Sequence, residues 1–403
     1  MFKLKICFWV SSIATIGGVQ RVTKVIACNL ANYYDVTIIC HDSNDSLQLV
    51  RESIDSKLTL ISADNEVDFF NHPSLISRIL KKINKVTGVF NNRFLYNLLF
   101  KICFPKRRII YSSSYFNSFN FDCIVGVEGD KALMLSAMKD YLNFKTIGWQ
   151  HSSFESYFYN KNRYYWNLDS LFKNYLKYLD KYIVLNEFDS KKINDCFNIE
   201  SIYIYNPKSF LSSKKSDMHQ KAFISVGRFC YAKGFDILVK AINEFHKKNH
   251  DWKFYIVGDG EYYDKINDYI IKNNLQDVII LPGFTDSIID YYLKSSVFVL
   301  SSRWEGMPMV VLEALEMGLP VISNDITAIK PLVSDNVEGL IVDFDESGLK
   351  LCQSMLKLAN SYDLRNNMSD AAIKKSMIFD IDIIINQWVT MFNALIKGDL
   401  NGE

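Results

Sequence analysis

Residues 301–314 read SSRWEGMPMVVLEA, and the chain continues through GLP at 318–320. Two carboxylates, Glu305 and Glu313, are eight positions apart, with Pro308 between them. The pattern predicts a loop that opens into a helix, because proline fits the first helical turn and Gly-x-Pro typically follows a helix end. Glu305 would then lie beside a helix N-terminus, where N–H groups and the positive dipole end favour a phosphate. Ionised carboxylates also accept hydrogen bonds from sugar hydroxyls. The stretch therefore predicts a site for a sugar attached to a diphosphate.

This stretch resembles the donor-site motif of the retaining glycosyltransferases of family 4, which have the GT-B fold. The matching phrase, S-x-x-E-G-x-P-x-x-x-x-E-A followed by G-x-P-V-I, runs from Ser302 to Ile322. The glutamate spacing alone fits a solvated helix with unrelated acids equally well, whereas the whole phrase is more specific. The resemblance implies that Glu305 acts near the transferred sugar and that Glu313 binds the ribose. It also implies donor contacts from Gly306, Met307, Pro308, Met309 and Val310.

An upstream segment carries the second match. Residues 223–228 read FISVGR, a short buried strand that runs into a loop, and Lys233 and Gly234 then open a helix with apolar residues at helical spacing. In family 4 this G-R-x(4)-K-G segment binds the donor diphosphate, which implies that role for Gly227, Arg228 and Lys233. Fixed cations would stabilise the charge that develops on the departing diphosphate. The alternative is a solvated arginine and lysine at a helix start.

Two further turns complete the expected donor side. Residues 252–261 read WKFYIVGDGE, a strand that ends in a turn at Gly258, and the absence of a third glycine at Tyr263 excludes a dinucleotide fingerprint. We interpret Gly258 as mainly a scaffold near the nucleotide. Residues 278–286 resemble the family segment that borders the nucleobase, which implies contacts from Phe284 and Thr285.

The amino-terminal half contributes Gly17, Gly18 and His151. The glycine pair follows an apolar strand and precedes a helical pattern, so the backbone could approach a ligand closely there. A plain tight turn is the alternative. His151 follows a strand-like run at 144–150, and ligands bind at the carboxyl ends of parallel strands. The resemblance implies a hydrogen bond from His151 to the sugar or leaving group, although a lone histidine is often structural. The catalytic set is then Glu305, His151, Arg228 and Lys233.

The length of 403 residues predicts two domains. Strand-like and helical stretches alternate in both halves, which predicts two α/β layers with mainly parallel sheets. The resemblance implies the GT-B arrangement of two Rossmann-like domains facing across a cleft. We assign residues 1–205 to an acceptor-binding domain and 206–377 to a nucleotide-sugar-binding domain. Residues 378–403 are expected to form a helix that packs back on the first domain.

The net charge of +1 gives no global field that would favour nucleic acid. However, the stretch from Phe69 to Phe121 holds nine cations, no Asp or Glu, and many interleaved apolar residues. A basic amphipathic stretch suits an anionic membrane surface. Nucleic-acid binding is a rival interpretation without a recognition motif, and an ordinary solvated basic face is the third. We expect Phe90, Phe94, Leu98 or Phe104 to contribute apolar contact with the bilayer.

No apolar run reaches the roughly eighteen residues of a spanning helix, and the start lacks a signal-peptide pattern. We therefore expect a cytoplasmic protein, peripheral on the inner face of the plasma membrane. Eight scattered cysteines include no C-x-x-C pair, which argues against zinc and disulfide frameworks. Asp343 and Asp345 form the D-x-D pattern of metal-dependent glycosyltransferases, but they follow an apolar run downstream of the donor site. We interpret them as a strand-end turn and predict no metal and no cofactor.

The expected activity is transfer of a hexose or N-acetylhexosamine from a nucleotide diphosphate sugar, with UDP as the expected nucleotide, to a saccharide acceptor. An aromatic-rich, basic first domain favours an acceptor linked to polyprenyl diphosphate, as in bacterial surface polysaccharide (O-antigen, capsule or lipopolysaccharide) assembly. Two alternatives remain. A sugar-nucleotide epimerase of the same fold would form product without an acceptor, and a non-catalytic sugar-nucleotide binding module would turn nothing over.

Overall fold

The computed structural model describes residues 3–15, 17–51, 57–64, 74–161 and 163–398. The first five residues of the predicted basic stretch, 69–73, lie outside these ranges, as do the two chain ends. By the contacts between residues, the chain divides into two compact units: Met1–Tyr205 with Asp382–Glu403, and Asn206–Ile381. The sequence-based boundaries were placed after residues 205 and 377.

The first unit contains a parallel sheet of seven strands among the described residues, in the order β3-β2-β1-β4-β5-β6-β7. Its strands are buried on both faces, which explains their nearly continuous apolar runs. Strand β4, with the sequence CIVGV, is buried at every position. The strands are β1 Lys5–Trp9, β2 Asp35–Cys40, β3 Thr59–Ser62, β4 Cys123–Val127, β5 Lys145–Trp149, β6 Lys181–Val184 and β7 Ser201–Tyr203.

Helices connect these strands and cover the sheet, as parallel pairing requires. They are α1 Gly18–Leu30, α2 Asn44–Arg51, α3 Leu75–Thr87, α4 Tyr96–Cys103, α5 Lys106–Asn117, α6 Gly129–Met138, α7 Phe154–Tyr159, α8 Asp169–Tyr175 and α9 Glu187–Phe197.

The second unit has a parallel sheet of six strands, in the order β10-β9-β8-β11-β12-β13. The strands are β8 Ala222–Val226, β9 Lys253–Val257, β10 Ile279–Gly283, β11 Val297–Leu300, β12 Val321–Asn324 and β13 Gly339–Val342. The helices are α10 Phe235–His246, α11 Tyr263–Lys272, α12 Ile288–Leu293, α13 Met309–Glu316, α14 Leu349–Ala359 and α15 Tyr362–Ser376.

The last helix, α16 Ile381–Lys397, packs on the first unit. The ring of Trp388 lies 5.9 Å from that of Phe8 and 4.9 Å from that of Trp149, measured between centroids. Tyr34 in turn packs edge-on against Phe392. Two parallel α/β sheets and a returning C-terminal helix agree with the fold class predicted from the sequence. Among the described residues, no helix is both long and apolar enough to cross a bilayer.

Two details of the prediction need correction. Pro308 was expected in the first helical turn, but helix α13 begins at Met309, because Pro308 has an extended ψ of 100° and occupies the N-cap position. Phe90 and Phe104 were expected to be available to a bilayer, but both pack against the apolar core of the first unit. Phe94 and Leu98 are exposed.

Candidate active site

The predicted donor residues of the second unit follow the carboxyl ends of its strands or lie on helix α13. Strand β8 pairs with β9 on one side and with β11 on the other, and all are parallel. From β8 the chain adds strands on one side of the sheet, and from β11 it adds them on the other side. The carboxyl ends of β8 and β11 are therefore a topological switch point, where such sheets usually bind ligands. Gly227 and Arg228 follow β8, and the loop from Ser301 to Glu305 follows β11.

Gly234 joins these two loops. Its φ of +65° lies in the left-handed region, and a Cβ atom built there would lie 2.1 Å from the carbonyl oxygen of Ser301. Only glycine permits that approach. The Ser301 hydroxyl also donates to the carbonyl of Lys233 at 2.9 Å. The backbone therefore holds the segment around Lys233 directly against the loop that carries Glu305.

Lys233 and Glu305 form an ion pair at this junction. The Nζ atom of Lys233 lies 2.7 Å from Oε1 of Glu305, and the Ser302 hydroxyl donates to the same oxygen at 2.7 Å. Both partners orient the carboxylate, and the second oxygen of Glu305 has no hydrogen bond to another described residue. The second carboxylate oxygen of Glu305 can therefore accept a hydrogen bond from a polar ligand. The ammonium group of Lys233 has further N–H groups that can donate to the same ligand.

Arg228 is exposed and makes no hydrogen bond or ion pair with any described residue. A guanidinium group can donate two parallel hydrogen bonds to a phosphate. Arg228 is therefore available to an anion at the end of β8.

Arg303, which sequence reasoning did not single out, fixes the loop between β11 and α13. It donates to both carboxylate oxygens of Asp236, at 2.9 and 3.0 Å, and stacks over the ring of Tyr231. Burial opposes ionisation of Asp236, but its hydrogen bonds and charge contact with Arg303 leave the pKa of the carboxyl below its usual value. The only sign of this role in the sequence is that Arg303 is a charged residue inside the S-x-x-E motif. Its partner Asp236 is distant along the chain, so the contact could not be predicted from spacing.

Helix α13 and the three residues before it include further predicted donor residues. Gly306, Met307 and Pro308 lead into it, and Met309 and Val310 form its first turn, where no side chain caps the N–H groups. Glu313 is only 3% exposed and accepts a hydrogen bond from the hydroxyl of Tyr292 at 3.0 Å. The two glutamates therefore differ: Glu305 borders the loop, while Glu313 is embedded in the unit.

The glycine turn after β9 supports the loop after β8. Gly258 has a φ of +138°, and a Cβ atom there would lie 2.0 Å from the carbonyl oxygen of Gly227. The backbone of Gly258 therefore packs directly against the loop after β8, and its place near the nucleotide remains a prediction. Phe284 follows β10 and is 65% exposed, and the Thr285 hydroxyl accepts a hydrogen bond from the backbone of Ser287.

Gly17, Gly18 and His151 belong to the first unit. Gly17 precedes helix α1 with an extended backbone, and Gly18 has open space where a Cβ would stand. Neither Gly17 nor Gly18 has a positive φ. The imidazole of His151 lies 4.0 Å from the ring of Trp149, centroid to centroid, and its Nε2 atom is buried without a hydrogen-bond partner among the described residues. Burial lowers the pKa of His151 to about 3, so the ring is neutral at physiological pH.

Glu128 is a second residue that the sequence did not reveal. It directly follows β4, its φ is +79°, and its carboxyl group accepts a hydrogen bond from the Tyr157 hydroxyl. The same hydroxyl lies 3.5 Å from the backbone nitrogen of His151. Burial raises the pKa of Glu128 to about 7. A buried acid in a strained conformation at a strand end is typical of functional sites.

The aspartates of the D-x-D pattern lie at a strand end with protein partners. Asp343 pairs with Lys350 at 2.6 Å, and Asp345 accepts a hydrogen bond from the N–H of Leu349 at 2.9 Å at the start of α14. In the described part of the chain, no cluster of three or more acidic, histidine or cysteine residues could hold a metal ion. Independence from metal remains a prediction.

Comparisons with known proteins identify the chemistry. Residues 208–375 match the family model described as "Glycosyl transferases group 1". The chain is also 28% identical over 393 residues to an uncharacterised glycosyltransferase of Haemophilus influenzae, covering 95% of this chain and 98% of that protein. This chain is a glycosyltransferase. Its matched segment contains Arg228, Lys233, Glu305 and Glu313.

Two further proteins are similar to this glycosyltransferase. Over 97 residues it is 37% identical to the Escherichia coli UDP-Gal:α-D-GlcNAc-diphosphoundecaprenol α-1,3-galactosyltransferase, which covers 24% of this chain and 25% of that enzyme. A crystal structure of a mutant of Staphylococcus aureus TarM, in complex with fondaparinux, α-GlcNAc-glycerol and UDP, superposes with a TM-score of 0.72. That superposition covers 97% of this chain and all of the other at 16% identity. The predicted GT-B fold is confirmed.

Proposed function

We propose that this glycosyltransferase is a retaining family 4 enzyme that moves a hexose or N-acetylhexosamine from a UDP-sugar to a saccharide linked to polyprenyl diphosphate. The observation that carries the proposal is the group of Arg228, Lys233, Glu305 and the N-terminus of α13 at one switch point. A nucleotide diphosphate needs these features: cations, helix N–H groups and a carboxylate for hydroxyls.

In the proposed reaction, the acceptor hydroxyl oxygen forms a bond to the anomeric carbon on the face from which UDP departs. The bond between that carbon and the diphosphate oxygen breaks, and the acceptor proton passes to the departing diphosphate. Arg228, Lys233 and the first turn of α13 stabilise the charge on the diphosphate. The carboxylate of Glu305 binds hydroxyls of the transferred sugar.

Support for a UDP-sugar comes from the names of similar proteins: one relative uses UDP-Gal, and the TarM structure holds UDP. Support for a lipid-linked acceptor comes from the diphosphoundecaprenol in that relative's name and from the surface of helix α3. Leu75, Ile76, Ile79, Ile83 and Val86 lie on one side of this helix and are all exposed. A basic surface with such an apolar stripe fits an anionic membrane. We therefore propose peripheral attachment at the cytoplasmic face of the plasma membrane and a role in bacterial surface polysaccharide synthesis.

Arg228→Ala and Lys233→Ala test the donor site. Each is expected to lower the rate of UDP release by about a hundredfold, as the loss of one contact to developing charge typically does. Lys272→Ala removes an exposed lysine from the last turn of α11 in the same unit and should retain wild-type activity. Near-normal rates for both site variants would remove these cations from the mechanism.

Chelation tests the absence of a metal. Because fixed cations and helix N–H groups take the role of a metal in this proposal, activity should be the same before and after treatment with EDTA. Complete loss of activity, with recovery on addition of manganese or magnesium, would overturn this part of the proposal and make Asp343 and Asp345 the first residues to test.

A further inference from the structure

The first unit contains a cavity of about 260 Å³ that none of the predicted donor residues lines. Trp9 at the end of β1, His41 after β2, and Asp130 and Lys131 after β4 contribute to its wall. Strand β1 pairs with β2 on one side and with β4 on the other. The cavity therefore lies at the switch point of the first sheet, where open parallel sheets bind their ligands.

The cavity wall has an excess of positive charge. Its charged residues are Lys81, Lys85, Arg108, Lys131 and Asp130. Lys131 is neutralised locally, since its Nζ atom lies 2.7 Å from the carboxylate of Asp130. His41 adds no charge at neutral pH, because burial and then the charge of Lys131 lower its pKa to about 4. Among the described residues of the wall, four cations thus share a single carboxylate.

Two of these cations are costly to hold without a ligand. Lys81 and Arg108 are partly buried, and neither forms an ion pair or hydrogen bond with another described residue. The Nε atom of Arg108 is fully buried without a partner in the described part of the chain. Burial lowers the pKa of both side chains. Buried polar groups are normally paired, so this arrangement indicates an anion as the missing partner.

The remaining wall is mainly apolar and includes the aromatic residues Tyr164, Tyr165 and Trp166. Tyr164 has a φ of +37°, which is unusual for a bulky residue and is typical of backbone held in place at a binding site. Aromatic rings beside cations suit a ligand with an anionic group and a less polar part.

Helix α3 links the cavity to the proposed membrane surface. Lys81, Asn84 and Lys85 of this helix line the cavity. The exposed apolar residues Ile76, Ile79, Ile83 and Val86 lie on the opposite side at a period of 3.6 residues. A ligand in the cavity would therefore lie directly beneath the helix that is proposed to contact the bilayer.

From these observations we infer that the cavity binds the diphosphate group of the lipid-linked acceptor, with Lys81 and Arg108 as its principal contacts. This inference rests on the proposed function, since it assigns a binding site for the acceptor that was proposed there. It adds a second anion site, in the first unit, to the donor site of the second unit.

The test is calorimetric titration of the whole protein with inorganic pyrophosphate and with farnesyl diphosphate, in saturating UDP so that the donor site is occupied. Both probes should bind the wild type. The double variant Lys81→Ala with Arg108→Ala should weaken both by at least about tenfold, because two charged contacts are lost. The double variant Lys173→Ala with Lys191→Ala removes two exposed lysines of the same unit that do not line the cavity, and it should match the wild type.

Equal affinity in the wild type and both double variants would overturn the assignment, as would an absence of binding to the wild type. Arg108→Gln alone provides a milder variant, and retained UDP affinity would show that each variant is folded. Vesicles of phosphatidylglycerol distinguish a bulk lipid headgroup from the acceptor. If only vesicle binding, and not binding of the soluble diphosphates, depended on Lys81 and Arg108, the inference would be wrong. A failure of UDP to bind would instead count against the proposed donor site, and the cavity variants would still report on the cavity.

Discussion

Glu305 and Glu313 belong to one motif but differ in their surroundings. Glu305 is held by Lys233 and Ser302 at the loop after β11, while Glu313 is almost fully buried against Tyr292. A carboxylate at the loop can contact the transferred sugar. A buried carboxylate instead affects nucleotide binding or the stability of the fold. The two residues should therefore affect different kinetic constants.

We predict that Glu305→Ala lowers kcat by about a hundredfold with a small change in UDP affinity. Glu313→Ala should mainly weaken UDP binding, as measured by calorimetry. Tyr292→Phe is the matched control, because it removes the hydrogen bond to Glu313 and leaves the carboxylate. Equal losses of UDP affinity in the two glutamate variants would contradict this division. An identical loss in Tyr292→Phe would assign Glu313 a structural role.

Glu128 should make stability depend on pH. The pKa of its carboxyl group is raised from 4.5 to about 7 in the folded protein, so the folded state holds a proton that the unfolded state has released between these values. Stability from this group is full below pH 4.5 and is lost as the pH rises towards 7, by up to about 3 kcal/mol.

The corresponding prediction concerns Glu128→Gln, which is neutral at every pH and can still accept the Tyr157 hydrogen bond. The Tm of this variant relative to the wild type should increase between pH 5 and pH 8. Glu187→Gln, at an exposed glutamate of the same unit, is the control and should show no such trend. A constant difference between Glu128→Gln and the wild type across this range would show that Glu128 does not hold a proton in the folded state.

The sequence predicted the residues that share a local motif and could not predict contacts between distant segments. Lys233 and Glu305 were each identified from their own motif, but the 2.7 Å contact between them depends on the pairing of β8 with β11. Glu128 was missed because its features, burial and a hydrogen bond to Tyr157, arise only in the folded chain. Glu313 was predicted on a helix, and its partner Tyr292 was not predictable from spacing.

At the level of elements, α3 is the most distinctive surface helix. Its apolar stripe is exposed, and Leu75 and Ile76 each expose more than two thirds of their surface. The sequence predicted a basic amphipathic stretch with bilayer contact from Phe90, Phe94, Leu98 or Phe104. Of these, Phe90 and Phe104 pack inward, whereas Phe94 and Leu98 are exposed. Helical periodicity shows that one side is apolar, and only the fold shows which side faces outward.

The stripe yields a prediction for vesicle binding. The triple variant Ile76→Ser, Ile79→Ser and Val86→Ser should sediment less with anionic vesicles than the wild type, since exposed apolar area and about 1 kcal/mol per nearby cation both favour binding. Wild-type binding should also fall as salt rises. The control changes Leu211, Ile271 and Leu349, three exposed apolar residues of the second unit, to serine. If neither vesicle charge nor the triple variant changed sedimentation, α3 would be an ordinary solvated helix.

At the scale of the whole molecule, two parallel sheets each place functional candidates at a switch point. The GT-B fold was predictable because alternating strands, helices and the motif of residues 302–322 agree along the chain. The acceptor side was the least predictable part. Its candidate cavity is lined by residues of β1, α3, α4, α5, α6 and α8 and of the loops between them, which no local pattern connects.

The central claim is that the chain transfers a sugar from a nucleotide to a lipid-linked acceptor through the site around Arg228. The most direct measurement is incubation of the wild type and Arg228→Ala with a panel of labelled nucleotide sugars and a bacterial membrane lipid extract. With one UDP-sugar, the wild type should move label into the lipid phase and release an equal amount of UDP, and the variant should do so about a hundredfold more slowly. The account would be contradicted if no nucleotide sugar were consumed, or if an epimerised nucleotide sugar formed without any acceptor.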